Sequence, residues 1–549
     1  MKETELQIAN KTKHKQQDFS HTARTTSGLV PYSGPWTLAE VKHLLRRAMF
    51  GAPKADVDYF VAQGMAATIS ELLTAAPTPA PPIYTYTAVY ADPNVPQGQT
   101  WVNSTFDPLA TGSRTKSYKA WLASLMLNQN RSITEKMTLF WSNHFSTELT
   151  TIQDPRLAYF TNVLCRQYAL GNFKDLTKLI TLDAGMLKYL NGYLNTVTAP
   201  DENYGRELQE LFTVGKDANG NPYYNQNDVI AASHVLTGWR IDSPTCTSYF
   251  TDTRHDPSDK TFSAFYNNTV ITGQTGAAGA NEIDDLLNMI FAANEVSLNI
   301  CRKLYRFFVY YEIDANVELD VIQPLATIFR NNNYEILPVL TALLNSEHFF
   351  DVLNRGCIIK APVDTVIAFL RDFNVDFPTS ANIIDQYVIW FKVSQHTALL
   401  NQSLHDPPNV AGWPAYYQAP QFHELWINTN TLPNRNQFTD IMFTNGITVS
   451  GVNILADVIA YTTTLTTPDD PDLLIQEVID RHYSEDVSQV LKDYLKSILL
   501  NGQLTNSYWT VAWTDFTGNP GNASYRQIVL TRLRAMFIYL MDLSEYQLS

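Results

Sequence analysis

The chain has only four cysteines among 549 residues, and they lie far apart in the sequence. No CxxC pair occurs, so the spacing indicates neither a zinc site nor a disulfide framework. Free buried thiols are therefore the expectation for Cys165, Cys246, Cys301 and Cys357.

Long apolar runs are missing as well. Because no stretch of about 18 apolar residues occurs, the sequence predicts no helix that spans a bilayer. Residues 1–28 are polar and contain no apolar segment, so they do not form a recognisable secretory signal. A cytoplasmic location is the default expectation.

Charged residues make up only 17% of the chain, and the formal net charge is −15. An acidic balance of this size argues against nonspecific binding to nucleic acid or to anionic membrane surfaces. Several local patterns that would identify a reaction are absent too. These are the G-x-S-x-G elbow, H-E-x-x-H, the phosphate-binding P-loop and G-x-G-x-x-G.

Helical periodicity dominates what is present. Thr37 and Glu40 form a capping-box pattern, an apolar stripe follows, and Gly51 supplies the expected stop, which together predict a helix. Ser132 and Glu135 repeat the capping-box pattern at the start of a second helix. Further helices are predicted near residues 156–170, 173–181, 184–195, 202–214, 227–239, 282–292, 295–312, 317–331, 335–346, 360–373 and 381–400, with shorter helices from 432 onward.

Two segments interrupt the helical pattern. Residues 76–115 are rich in Pro and Tyr and predict a long surface loop, and residues 243–275 alternate as in a small β excursion. The predicted fold is mainly α, a large multi-helix domain with these two insertions. The predicted organisation is a flexible arm over 1–34, a core domain over 35–445 and a C-terminal helical extension over 446–549.

The helix predicted over 202–215 is the main candidate site. At helical spacing Asn203, Glu207 and Glu210 share one face. One interpretation is a set of i, i+4 ion pairs, Glu202 with Arg206 and Arg206 with Glu210. The other is that Asn203, Glu207 and Glu210 ligate a hard divalent cation, or that a carboxylate acts as a general base.

Three further clusters could contribute to the same chemistry. His144 is either a core histidine or, if it faces the carboxylates of 202–215, a metal ligand or proton shuttle. His43 and Arg47 lie along one helical edge, where they either bridge helices through buried carboxylates or bind an anionic substrate.

The loop 252–262 is the third cluster. It presents His255, Asp256, Asp259 and Lys260 where no packing explanation is evident. Asp256 could orient the imidazole of His255 as a base, and Lys260 could neutralise a developing anion. The alternative is a turn formed by Asp and Pro.

Eight segments, taken in order, resemble a large bacterial family of unknown function, the domain-of-unknown-function family 1800. They are VKHLLRRAMFG (41–51), EKMTLFWSNHF (135–145), DAGMLKYLN (183–191), ENYGRELQELFTVG (202–215), DVIAASHVLTGW (228–239), HDPSDKTF (255–262), PPNVAGWP (407–414) and LPNRNQF (432–438). The resemblance covers roughly residues 36–445. It implies no settled activity, an exported location, and a partner from a sulfatase-like family of unknown function, number 1501.

Two functions are compatible with these residues. The first is an enzyme, a hydrolase or transferase, in which Glu207 or Glu210 is base or metal ligand. His255 is then its acid–base partner, and Lys260 and Arg206 stabilise an anion. The second is a helical scaffold or accessory protein, whose charged residues fix the helix packing and whose aromatic loops at 83–101 and 413–426 bind a partner.

Overall fold

The computed structural model describes residue 25 and residues 27–549. The protein is 57% helix, which confirms the predicted mainly α class, and over the described residues its strands form three two-stranded antiparallel sheets. Within the same residues, no helix combines the length and the apolar character needed to cross a membrane.

The helices of the first half surround the predicted candidate site. They are α1 Leu38–Ala48, α2 Lys54–Gln63, α3 Met65–Leu72, α4 Thr111–Leu127, α5 Thr134–His144, α6 Leu149–Ile152, α7 Pro155–Gln167, α8 Phe173–Thr181, α9 Ala184–Tyr189, α10 Glu202–Glu207 and α11 Gln226–Val235. Strands β1 Trp239–Asp242 and β2 Thr247–Phe250 pair with each other, as do β3 Lys260–Thr261 and β4 Val270–Ile271. The predicted β excursion is therefore present.

The second half is again helical. Its helices are α12 Glu282–Phe291, α13 Asn294–Phe308, α14 Ala315–Val317, α15 Gln323–Asn331, α16 Ile336–Leu344, α17 Glu347–Phe350, α18 Pro362–Asp372, α19 Ile383–Leu399, α20 Thr431–Thr444, α21 Val458–Thr463, α22 Pro471–His482, α23 Gln489–Leu499, α24 Ser507–Gly518 and α25 Ala523–Asp542. Strands β5 Ile447–Val449 and β6 Val452–Ile454 form the third sheet.

One of the two predicted capping boxes is correct. Thr37 and Glu40 close the start of α1 as expected. The box predicted at Ser132 and Glu135 is wrong, because α5 begins at Thr134 and the hydroxyl of Ser132 donates to the carbonyl of Thr74 at 2.6 Å. The Glu135 carboxylate instead forms a buried ion pair with Arg166 on α7.

The described residues form two large hydrophobic cores and one small cluster around Ile152 and Leu157. The first is built mainly from residues between 41 and 350, and the second combines residues from 84–158 with residues from 361–546. Helix α1 lies where they meet, since Leu44 and Leu45 pack in the first core while Phe50, just beyond the helix, packs in the second. Its charged residues are buried along with its apolar ones.

The aromatic loops predicted to bind a partner are largely inside the protein. Tyr84 and Trp101 of the first loop, and Trp413 and Trp426 of the second, are buried in the second core. Burial of large aromatic rings is the main contribution of such residues to a core. The apolar surface of these four rings is therefore not available to a docking protein, while Val89 and Tyr417 of the same loops are exposed, and partner binding by the loops stays a prediction.

The predicted N-terminal arm is described only in part, since residues 1–24 and 26 lie outside the described residues. The amide of Tyr32 donates to the carbonyl of Asn345 at 2.8 Å, and the hydroxyl of Ser27 donates to Asp351 at 3.0 Å. The described portion therefore runs along the segment that contains α17.

Candidate functional site

The helix predicted over 202–215 forms, but it changes character part-way. The side chain of Asp201 accepts the amide of Asn203 at 2.9 Å and caps α10, and residues Leu208–Phe212 continue it as a π-helical turn. Such turns are often found at functional sites, and the wider spiral leaves carbonyls of the last turn to be bonded from elsewhere.

Three side chains bond the carbonyls at this end. His144 Nε2 donates to Phe212 at 3.0 Å, Lys303 Nζ to Leu211 at 2.7 Å, and Asn299 Nδ2 to Thr213 at 2.8 Å. Lys303 Nζ also donates to His144 Nδ1 at 3.1 Å. Hydrogen-bond donors and positive charge are favourable at the negative end of a helix dipole, so this arrangement stabilises the helix end.

His144 is therefore not the metal ligand that the sequence allowed. One ring nitrogen donates to a carbonyl and the other accepts from a lysine, and aromatic rings such as Phe173 and Phe212 surround the imidazole. Burial, with Lys303 adding to it, lowers the pKa of His144 well below its usual range. No group of three His, Cys, Asp or Glu side chains within the described part of the chain could hold a metal ion.

The carboxylates of 202–215 have different environments. Arg206 pairs with Glu202 at 3.1 Å as predicted, but Glu210 pairs with Lys216 at 2.5 Å rather than with Arg206. Among the described residues, none forms a hydrogen bond or ion pair with Glu207. Burial and the nearby Glu210 charge raise the pKa of Glu207.

Asn203, predicted to bind substrate beside Glu207, is exposed at the start of α10. Its Nδ2 lies 3.5 Å from the carbonyl of Leu190, a long and weak contact. No contact within the described residues joins Asn203, Glu207 or Glu210 to His144 or His255. These groups therefore do not form one bonded cluster among the described residues.

His43 and Arg47 of α1 occupy different settings. His43 is buried against Phe349 and donates from Nε2 to its carbonyl at 2.9 Å, so its ring is engaged inside the core, and a substrate-binding role stays a prediction. Burial, reinforced by Arg47, lowers the pKa of His43 well below its usual range. Arg47 bonds the carbonyls of Asn354 at 3.2 Å and Ser549 at 2.7 Å, and lines a cavity.

The loop after β2 differs most from its prediction. His255 and Lys260 are buried rather than exposed, and both contact the fully buried carboxylate of Glu282 on α12. Lys260 Nζ lies 2.5 Å from Oε2 of Glu282, and His255 Nε2 lies 3.0 Å from Oε1. The histidine contact is a close approach without an aligned hydrogen bond at Nε2. This cluster anchors the loop to α12.

Asp256 does orient an imidazole, but it is the imidazole of His234 on α11. Asp256 Oδ2 bonds His234 Nδ1, while Oδ1 accepts the amide of Ser258 at 2.9 Å and its hydroxyl at 2.6 Å. Burial opposes the charge of Asp256, yet the bonds from Ser258 and His234 outweigh it and lower the pKa of Asp256 to about 2. The His234 side chain is 29% exposed.

Thr237 connects this dyad to the buried cluster. Its hydroxyl donates to the carbonyl of His234 at 2.7 Å and accepts the amide of Asp256 at 2.9 Å. His255 Nδ1 lies 3.1 Å from both the hydroxyl and the carbonyl of Thr237. Both oxygens act as acceptors, so Nδ1 carries a proton, and the loop is held to the end of α11 from two sides.

His234 was missed by the sequence reasoning, although it lies in the segment DVIAASHVLTGW. The available signal was a histidine in the last turn of a helix that is followed by a His-Asp-Pro turn. Adjacency in sequence suggested His255 as the partner of Asp256. The alternation of side-chain direction between neighbouring residues sends His255 toward α12 and Asp256 toward α11.

A model of one protein family, described as Protein of unknown function (DUF1800), matches residues 43–548. The chain belongs to this family. No curated protein and no solved structure matches it. The match to the DUF1800 family runs through the C-terminal helices and is thus wider than the resemblance over 36–445.

Two of the segments that carry the DUF1800 resemblance meet in space. DVIAASHVLTGW supplies His234 and Thr237, and HDPSDKTF supplies His255, Asp256 and Lys260. VKHLLRRAMFG forms most of α1, whose arginines line the cavity noted above. The family description assigns no activity, so the chemistry has to be argued from these contacts.

Proposed function

We propose that this protein is an enzyme of the hydrolase or transferase class that uses His234 as a general base oriented by Asp256. The observation that carries the proposal is the bond from Asp256 to Nδ1 of a partly exposed imidazole. Because Nδ1 is engaged, Nε2 is the ring atom available to take a proton from water or a hydroxyl. Such proton transfer contributes typically about 10²–10⁴-fold to a rate.

The charge state of Asp256 supports this role. With its pKa lowered to about 2, the carboxylate stays ionised at neutral pH and stabilises the imidazolium that forms when His234 accepts a proton. Three hydrogen bonds hold the carboxylate, so the imidazole keeps its tautomer and orientation before substrate arrives.

The other predicted catalytic residues take different roles in this proposal. His255 and Lys260 position the loop through their contacts with Glu282, and neither transfers a proton in the proposed reaction. Glu207 and Glu210 make no contact with the dyad among the described residues. They are left out of its chemistry, and a catalytic role for Glu207 stays a prediction.

The test compares purified variants on nitrophenyl esters, phosphates and glycosides. His234→Gln and Asp256→Asn are expected to lower kcat/KM at least about 100-fold, because the first removes the imidazole base and the second removes the carboxylate that orients it. Asp252→Asn is the matched control, since Asp252 lies in the same loop but is exposed, and it should keep full activity. Wild-type protein without activity on the whole panel, or an active His234→Gln variant, would contradict the proposal.

A second function, an accessory protein that acts with a sulfatase-like partner, is favoured by one observation. Tyr508 and Val511 of α24 and Ile528 of α25 expose apolar side chains around a groove, and Val511 is 56% exposed. Exposed apolar patches often mark protein-binding sites. Val511→Asp should abolish co-purification with a sulfatase-like partner of the family 1501 kind, whereas His234→Gln should retain it. Equal retention by both variants would argue against this function.

A further inference from the structure

A small cavity that shares no lining residue with the dyad lies where α1, α5, α13 and the start of α18 meet. Arg46 and Arg47 come from α1, Lys136 from α5, Arg306 from α13 and Asp364 from α18. Its volume is about 40 Å³, room for about three water molecules, which is also the scale of a carboxylate or phosphate group.

The side chains that line this cavity are mostly cationic. Four of them are positively charged, and Asp364 is the one carboxylate side chain among its described lining residues. Asp372, a buried carboxylate outside the lining, acts on the charge of Arg46. Arg46, Arg47 and Lys136 are all buried, so water solvates their charges poorly.

The bonds that these cations make are mostly to neutral oxygens. Arg46 donates to the carbonyl of Arg481 at 2.9 Å and the hydroxyl of Ser484 at 3.3 Å. Arg306 donates from Nε to the carbonyl of Tyr311 at 3.2 Å, and its Nη groups form no hydrogen bond with any described residue. Neither Arg46 nor Arg306 forms an ion pair within the described residues. Lys136 alone pairs with Asp364.

The surroundings hold charges of both signs. Arg435 is buried beside the lining residues and its Nη2 donates to the carbonyl of Lys360 at 2.9 Å, while burial lowers the pKa of Lys360, which also faces Asp372, well below its usual range. Burial, followed by the charge of Arg302, lowers the pKa of Arg306 to about 10, which still leaves it charged at neutral pH. Ala361, the residue before α18, also borders the cavity, and the positive end of a helix dipole attracts anions.

We propose that this cavity binds a small oxyanion, either a free ion or the carboxylate or phosphate group of a larger ligand. Arg306 supplies a fork of N–H donors, and Arg47 and Lys136 supply charge from the facing helices. No lining residue belongs to the His234–Asp256 dyad or its loop, so the site stands whether or not the proposed catalytic function does.

The test measures binding of inorganic phosphate, sulfate and acetate to the full chain by calorimetry and thermal shift, at constant ionic strength set with chloride. We expect saturable binding to wild-type protein and at least a tenfold rise in Kd for Arg306→Gln. Binding of phosphate or sulfate alone would assign a phosphate-like group, and binding of acetate alone a carboxylate.

Arg302→Gln is the matched control. Arg302 lies one turn earlier on α13, pairs with Glu318 at 2.5 Å and does not line the cavity, so the variant should bind as wild type does. Arg306→Lys keeps the positive charge but removes the fork of N–H donors, so it provides a second test of the same residue if Arg306→Gln fails to fold. The proposal would be overturned if wild-type protein bound none of the three ions more tightly than it binds chloride. It would also be overturned if the Arg306 variants had an unchanged Kd.

Discussion

Nζ of Lys303 donates to Nδ1 of His144 at 3.1 Å, beneath the π-helical turn that ends the 202–212 helix. The lysine has no carboxylate partner among the described residues, and burial followed by the charge of Arg306 lowers its pKa to about 7. The protonated form therefore costs folding free energy, although its hydrogen bonds satisfy the helix end.

This relationship predicts how stability changes with pH. Between the folded pKa of about 7 and the ordinary lysine pKa of 10.5, the unfolded chain binds more protons at Lys303 than the folded chain does. The contribution of Lys303 to stability should therefore rise with pH across that window. Thermal unfolding from pH 6 to 10 should show the Tm of wild type increasing relative to that of Lys303→Met. Lys178→Met, at a more exposed lysine, should follow wild type at every pH.

Removal of the Glu282 charge is expected to be costly. Glu282→Gln leaves the ammonium of Lys260 buried beside a carbonyl and next to His255, with no carboxylate to compensate. Loss of one partner of a buried ion pair costs about 3–5 kcal/mol, so the urea midpoint should fall strongly. Asp284→Asn on the same helix removes an exposed pair with Lys178 and should cost less than about 1 kcal/mol. Similar losses in both variants would contradict this account of the cluster.

Replacement of Gly279 by a residue with a Cβ should lower the stability of the protein for a steric reason. A Cβ at this position would lie 2.6 Å from Cδ2 of His255, so the ring would have to move away from Glu282. Overpacking of this kind costs about 1–3 kcal/mol, and urea unfolding of Gly279→Ala should show it. Gly112 in α4 has no atom within 4 Å of a Cβ, and Gly112→Ala should be neutral or slightly stabilising. A neutral Gly279→Ala variant would mean that the ring is less constrained than the contacts indicate.

Glu207→Gln should stabilise the protein at neutral pH. Burial and Glu210 raise the pKa of Glu207, so the folded chain binds the extra proton and stability falls as pH rises through that raised pKa. The variant lacks this loss, and its Tm should exceed that of wild type at pH 7 but approach it near pH 4. A lower Tm at pH 7 would show that the carboxylate has a stabilising partner. Retention of a destabilising carboxylate is typical of a functional position.

The fold was largely predictable where the signals are local. Helix α1 and the helix over 202–212 follow from spacing, caps and stops a few residues apart. The π-helical turn could not be predicted from such local signals, because its stability depends on His144 and Lys303, which come from α5 and α13. Ser132 and Glu135 show the same limit. A glutamate three residues after a serine fits a capping box, but its carboxylate can equally form a long-range ion pair, as Glu135 does with Arg166.

The candidate site was predictable only as a set of segments. The sequence indicated that polar groups collect in the loop 252–262, but it could not show that α11 and α12 flank the loop. The sequence therefore predicted His255 as the partner of Asp256, whereas the packing of the loop brings His234 to it. The cationic cavity was anticipated only through Arg47, since Lys136 and Arg306 lie far along the chain from α1.

The placement of α1 between the two cores has a consequence for synthesis. Lys42 donates to the carbonyl of Asp480 at 2.5 Å, and Arg46 donates to that of Arg481, more than 400 positions later in the chain. A ribosome therefore releases α1 long before these two carbonyl partners exist. Its cations must stay hydrated until α22 emerges, so this helix should dock late, as the step that locks both halves of the molecule together.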